Sequence, residues 1–578
     1  MKLYSKISLI IAATSMLILG GCKKVLEEHP QSSLVPAFLG TPSGLLGGLA
    51  GVYNDLRASY GTEGFILTQY AGTDEMIAGT QAQDGGVFNA YNGLNGTSTS
   101  GGFNIWYQDI NTLNGILQFA PSSGLPTATL NQYIGQAKFL RAFCYFYLLQ
   151  TYGNVPLHLT FITQANSADA PAAPAAVYSA IIQDLIDAST ELPNTITAPF
   201  LGKAATAPTA LFLLSKVYLT RGWSASAVST DFQNAYTTAT TLITNKATYG
   251  LDLWQDYASA FAPANDYGKE VLFVSDHSNS VQYGQFQTGA SGGVSQNVLP
   301  NLFRWNYVTA LGINSMAGVP QVSTGPSPMV RDINNGRPYT RAAPNPNYIL
   351  PQAFAEQIND SRYSKTFQTW WIANIPVVSA RGTLVVGVDT AILMPGAPVT
   401  AARRAAFKGV IVTPDQYSNN VFPTVKKFDD LTRASVNDPS TRPYCIYRFA
   451  ETYFIAAEAA MKLGDNVNAA AYLNFIRERA AYRSTNTPAQ NAAAALAMDI
   501  TPAQVNIDFL LDEYTREFYG EPRRWYDLVR TQQLLRRVGL WNPIANAHIQ
   551  SFNVLRPIPQ DEINAVVSGP AYPQNKGY

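Results

Sequence analysis

The chain has 578 residues, and its 39 Lys and Arg are matched by 39 Asp and Glu, for a formal net charge of zero. Charged residues make up 13%, about half the roughly 25% of an ordinary soluble domain, so no basic footprint for a nucleic-acid partner exists. Uncharged polar groups must cover the surface, and 42 Gly, 35 Pro and 32 Tyr point to long loops carrying amphipathic rings, a surface suited to neutral ligands.

Lys2 and Lys6 precede an apolar run over 7–19, the charged and hydrophobic regions of a secretory signal peptide and too short for a comfortable membrane span. The run ends in Leu19-Gly20-Gly21-Cys22, which resembles the bacterial lipobox. Small residues there admit the peptidase, and the cysteine thiol takes a diacylglyceryl group. The expected mature chain starts at lipidated Cys22, with acyl chains contributing about 0.8 kcal/mol per buried methylene. Residues 22–43 read as a polar tether, and no later stretch is long enough to cross a bilayer.

Over 131–152, apolar residues recur at Tyr133, Ile134, Ala137, Leu140, Cys144, Tyr145, Leu148 and Leu149, steps of three and four that predict a buried helix. Similar spacing predicts helices over 103–119, 176–192, 207–222, 232–243, 447–463, 469–481 and 505–519. Two stretches pair at about the tetratricopeptide spacing, 210–243 around Arg221-Gly222 and 453–479 around Leu463-Gly464-Asp465. Ala456, Ala457, Ala459 and Ala470 are expected to let those helices approach closely. Between 278 and 426 the helical periodicity fades; brief strands are expected over 383–388 and 409–412, and loops of this kind are where recognition sits. Cys144 and Cys445 lie in apolar helical surroundings and read as two buried thiols, although in an exported protein they could pair.

Catalytic patterns find little support. Gly289-Ala290-Ser291-Gly292-Gly293 matches the serine-hydrolase string without the strand before it and the helix after it that the nucleophile needs, and reads as chance. The four histidines, His29, His158, His277 and His548, show no metal-ligand spacing. Asp512, Glu513, Glu517, Glu521 and Asp527 could in principle cleave a glycosidic bond, yet each has an arginine nearby. Glu513 with Arg516 and Asp527 with Arg530 stand at ion-pairing separation, so a scaffold network is expected. Carbohydrate recognition asks only for an aromatic face flanked by polar side chains, which the composition supplies.

Five segments carry a family resemblance. They are Trp106-Tyr107-Gln108-Asp109-Ile110; Gln136-Ala137-Lys138-Phe139-Leu140-Arg141 running on to Tyr152-Gly153-Asn154-Val155-Pro156-Leu157; and Val177-Tyr178 through Leu192-Pro193. Arg448-Phe449-Ala450-Glu451 with Asn474-Phe475-Ile476-Arg477 follows, then Arg516-Glu517-Phe518-Tyr519-Gly520-Glu521 with Arg523-Arg524-Trp525-Tyr526-Asp527 and the closing Gln574-Asn575-Lys576-Gly577-Tyr578. Together these resemble the SusD/RagB family; Pro522 departs from its usual flexible residue and should stiffen that turn. The resemblance implies a mainly α, SusD-like fold of tetratricopeptide-type helix pairs with a loop-rich subdomain containing short strands. The expected division is a signal peptide at 1–21, the lipidated tether at 22–43, a helical region at 44–277, a loop-rich ligand-binding region at 278–430 and a C-terminal helical region at 431–578.

The resemblance also implies a non-catalytic lipoprotein, without cofactor or metal, on the exterior face of the outer membrane. Its implied partners are a SusC-type TonB-dependent transporter and a glycan, or alternatively a peptide, ligand; a surface glycoside hydrolase is the remaining alternative. By resemblance, the ligand surface draws on loops at about 81–95 and 283–307. Within them Phe88, Tyr91, Asn92, Trp305 and Tyr307 are the expected ligand-binding residues, whereas Trp370-Trp371 reads as core.

Overall fold

The structure, a computed structural model, describes residues 36–82, 86–98, 100–164, 167–196, 203–280, 296–309, 327–379 and 381–578. The leader, Cys22 and the string at 289–293 lie outside the described residues. The fold is mainly α, with short strands confined to two- and three-stranded sheets. Among the described residues no helix is long and apolar enough to cross a membrane.

Helix α1 (Pro42–Ser59) opens the scaffold, with Pro42 at its first position and the Thr41 side chain accepting from Gly44 N at 3.1 Å. A cap of this kind contributes about 1 kcal/mol. Helices α2 (Ser100–Phe119), α3 (Thr127–Tyr152), α4 (Pro174–Glu191), α5 (Ala207–Trp223) and α6 (Asp231–Thr244) then pack neighbour on neighbour in chain order. A single apolar stripe is not what α3 shows. From Gly135 onward it is buried on several sides, Phe139, Phe143 and Phe146 included, because α1, α2, α4 and α5 all lie against it.

After the middle of the chain, α7 (Ala450–Lys462) packs on α6, and α8 (Asn466–Ala481) on α7, completing the stack. Both expected helix pairs form. Ala456, Ala457, Ala459 and Ala470 are buried between them. Gly464 turns α7 into α8 at φ 81°, a left-handed conformation that costs glycine nothing, and Asp465 caps α8 at Asn468 N. The helix expected over 447–463 starts later than its periodicity suggests. Tyr444–Arg448 is instead a strand, paired antiparallel with Val271–Ser275, and its alternation merges with the helical pattern behind it. Cys144 and Cys445 are both free thiols, the first buried and the second partly so.

A second, smaller core sits in the loop-rich region. Trp370–Ile372, Thr390–Leu393 and Val410–Ile411 form its sheet, the first pair antiparallel and the second parallel. Beneath lie Trp371, Trp305, Tyr307, Met329 and Ile392. The expected strand over 383–388 reduces to Gly382–Thr383, paired with Val378–Ser379. The far end of the expected tether also belongs to the folded body: Pro36–Leu39 is helical and Leu39 is buried against Gly48 and Gly115.

Buried ion pairs join this layer to helix α9 (Ile507–Phe518). Arg362, in the second layer's supporting loop, meets Asp360 at 2.7 Å and Glu513 at 2.6 Å. Arg448 meets Glu270 at 2.7 Å and Glu521 at 2.8 Å, and Glu517 accepts from both Arg448 and Arg479. A second cluster fastens the N-terminal region: Asp74 holds Arg524 and Arg537, each at 2.7 Å, and Arg537 reaches Asp512 at 2.6 Å. Removing one partner of such a pair leaves an uncompensated buried charge, at about 3–5 kcal/mol.

Candidate functional site

Of the five expected ligand residues only Asn92 is exposed. Phe88 and Tyr91 are buried together on Arg556, whose guanidinium carbon lies 4.9 Å and 5.7 Å from their ring centroids. Tyr91 takes φ 54° to do so, a left-handed conformation uncommon for a bulky residue. Trp305 and Tyr307 are fully buried around Trp371, in the second core and apart from the first pair. None of these four rings presents a free face. Residues 83–85 and 281–295 of the two expected loops lie outside the described residues.

The exposed ring is one the sequence assigns to the core. Trp371 is buried, as expected, but Trp370 is 49% exposed and points to the other side of the strand. Lys426 Nζ stands 5.6 Å from its ring centroid, and burial, partly offset by Asp429, pushes that ammonium below the usual lysine range. A chain of amide and carboxylate groups runs beside it. Gln368 Nε2 donates to Asn335 Oδ1 at 3.0 Å and to Trp370 O at 3.2 Å; Asn335 Nδ2 donates to Asp332 Oδ1 at 2.9 Å; Asn374 Nδ2 donates to the other Asp332 oxygen. The Arg304–Asp429 ion pair closes the row, with Arg304 also donating to Asn335 O at 2.6 Å. An indole face flanked by fixed acceptors and donors is the arrangement that stacks on a sugar ring and bonds its hydroxyls.

An 810 Å³ cleft between α2, the 156–169 segment and the C-terminal segment is a weaker candidate. Its polar groups are already bonded within the protein. Tyr107 Oη donates to Pro156 O, Tyr572 Oη to Asn154 O, Asn111 exchanges two bonds with the Ile162 backbone, and His158 Nε2 lies 2.8 Å from Asp169. The cleft works as a joint between segments.

The C-terminal acids are structural. Burial opposes charge on Glu517 and Asp74, but the guanidiniums of Arg479, Arg448 and Arg362 around the first, and of Arg524 and Arg537 around the second, hold each carboxyl at about 2. Glu513 is held well below the usual range in the same way. The two expected helical pairs are present, Arg516–Glu513 at 2.7 Å and Arg530–Asp527 at 3.3 Å. Carboxyls held this firmly ionised have no proton to give a leaving group. Among the described residues no group of three or more His, Cys, Asp or Glu could hold a metal ion.

Comparison with known proteins agrees with the architecture. Residues 412–578 match a model described as the SusD family, and residues 26–219 match one described as starch-binding associating with outer membrane, together more than half the chain. SusD-like protein P2 of Formosa agariphila is 27% identical over 547 residues, 92% of this chain and 91% of its own. SusD-like protein P25 of the same organism is 22% identical over 582 residues, 94% and 93% of the two chains. Among solved structures, a laminarin binding SusD-like protein superposes with a TM-score of 0.65 at 22% identity, covering 93% of this chain and 100% of that one. Surface glycan-binding protein A from Bacteroides thetaiotaomicron, in complex with laminarihexaose, gives 0.62 at 17% identity, over 93% and 99%. With both models matched and the helix stack shared, the chain belongs to the SusD/RagB family.

Proposed function

We propose that this protein binds glycans at the outer-membrane surface and passes them, uncut, to a SusC-type TonB-dependent transporter. The observation that carries the reading is Trp370, an exposed indole on a rigid strand beside the Gln368–Asn335–Asp332–Asn374 row. Stacking on the apolar face of a sugar and bonding its hydroxyls needs no general acid and no cofactor.

Two further points support it. One solved relative is named for laminarin binding and another is described with laminarihexaose, and one family model is described as associating with the outer membrane. In this reading residues 278–430 supply the ligand face, 44–277 and 431–578 the scaffold, and lipidated Cys22 the anchor, so the protein reaches the membrane without spanning it.

Affinity electrophoresis of the mature protein in gels containing a polysaccharide panel, with chromatography of the same mixtures, tests the reading. Retardation by at least one polysaccharide with no released oligosaccharide is expected. Retardation by none, or release of fragments, would overturn it. For the partner, detergent extraction and capture of the anchored protein should recover a large barrel protein in stoichiometric yield.

A further inference from the structure

A cavity of about 610 Å³ lies between residues 58–69, the 87–98 loop, the end of α3 and the segment around Trp525 and Arg556. It shares no lining residue with the Trp370 face. Arg556 is 2% exposed, and it has no carboxylate partner among the described residues. Its Nη2 donates to Thr68 O at 2.6 Å, while Nε and Nη1 have no acceptor. Two other lining residues repeat the pattern: Gln69 Nε2 and Trp525 Nε1 are buried donors without acceptors. No Asp or Glu lines the cavity.

Unmatched buried donors around one guanidinium are costly unless something accepts from them. The cation is steadied by ring faces, Trp525 at 4.2 Å and Phe88 at 4.9 Å from the guanidinium carbon, which leave its N–H edges for a ligand. We propose that this cavity is an anion-binding subsite that takes the carboxylate or sulfate group of an acidic saccharide, with Arg556, Gln69 and Trp525 as donors. A neutral sugar would fill the volume yet leave the charge unmatched, whereas an oxyanion supplies both countercharge and acceptors. This inference rests on the glycan-binding reading and narrows its substrate class.

Saturation-transfer NMR on the mature protein tests it, with glucuronate, a sulfated glucose and glucose as probes and an acidic pentapeptide as the fourth arm. At least tenfold tighter binding of glucuronate or the sulfated glucose than of glucose is expected, weakening with salt; the arm that binds identifies the group. Arg556→Gln removes the preference. Because that buried change could unfold the protein, Ser98→Glu at the half-buried rim gives the independent check, repelling the anions at least tenfold while the fold stays intact. Equal binding of acidic and neutral sugars, a preference that survives both substitutions, or binding of the peptide alone would overturn the proposal. Retention on a neutral polysaccharide gel alongside such a result would leave the broader reading standing, so the two failures are distinguishable.

Discussion

Trp370 and Trp371 are consecutive residues of one strand and face opposite sides of it, the first 49% exposed beside Lys426, the second buried edge-on against Trp305 at 5.5 Å. The two substitutions should therefore separate. Trp371→Ala empties the centre of the second core and should destabilise by about 3–5 kcal/mol. Trp370→Ala removes little buried area and should stay within about 1 kcal/mol. Urea denaturation with a shared m-value checks both.

That strand also shows what the sequence conveys and what it withholds. The helix stack was legible, because α2 to α8 repeat apolar residues at steps of three and four and the Arg221-Gly222 and Leu463-Gly464-Asp465 turns separate the pairs. The family segments likewise coincide with α2, α3, α8 and α9. The site was not legible, for a physical reason: in a short strand one residue of register decides which indole meets solvent. Phe367, Thr369 and Trp371 alternate with Gln368, Trp370 and Ile372, and that period of two was the available signal. Phe88, Tyr91, Trp305 and Tyr307 lie in segments rich in Gly and Asn that read as surface loops, yet they fold back because Arg556 and Trp371 give their rings something to pack on. The partners of the C-terminal acids were equally hidden, since Arg362, Arg448 and Asp74 come from distant parts of the chain.

Glu517 sits at the centre of the buried ion pairs, accepting from Arg448 and Arg479, with Arg362 at 3.5 Å. Glu517→Gln keeps the shape and removes the charge. It should cost about 3–5 kcal/mol, because three guanidiniums then share too few carboxylates. Equilibrium unfolding at pH 7 measures it.

Asp109 on α2 stands beside Asp55 on α1, and burial first, then the neighbouring carboxylate, pushes it up to about 9. A carboxyl raised in the folded state has its full stability below the unfolded value of 3.8 and loses it as pH rises toward 9. Asp109→Asn should match the native protein near pH 3.5 and exceed it by about 2–4 kcal/mol at pH 7. Melting curves across that range check the divergence.

Cys22→Ala should leave the fold intact and the protein free of membranes, since stable anchoring rests on acyl chains on that thiol. Detergent-phase partition and circular dichroism of the two forms read the two halves of this expectation separately.

The most direct measurement is a calorimetric titration of the retarding polysaccharide's oligosaccharide against the native protein, Trp370→Ala and Trp370→Phe. The alanine form should bind about tenfold more weakly, a loss of about 1.4 kcal/mol, with the phenylalanine form recovering most of it and neither changing the melting temperature appreciably. Undiminished affinity in Trp370→Ala would contradict the account.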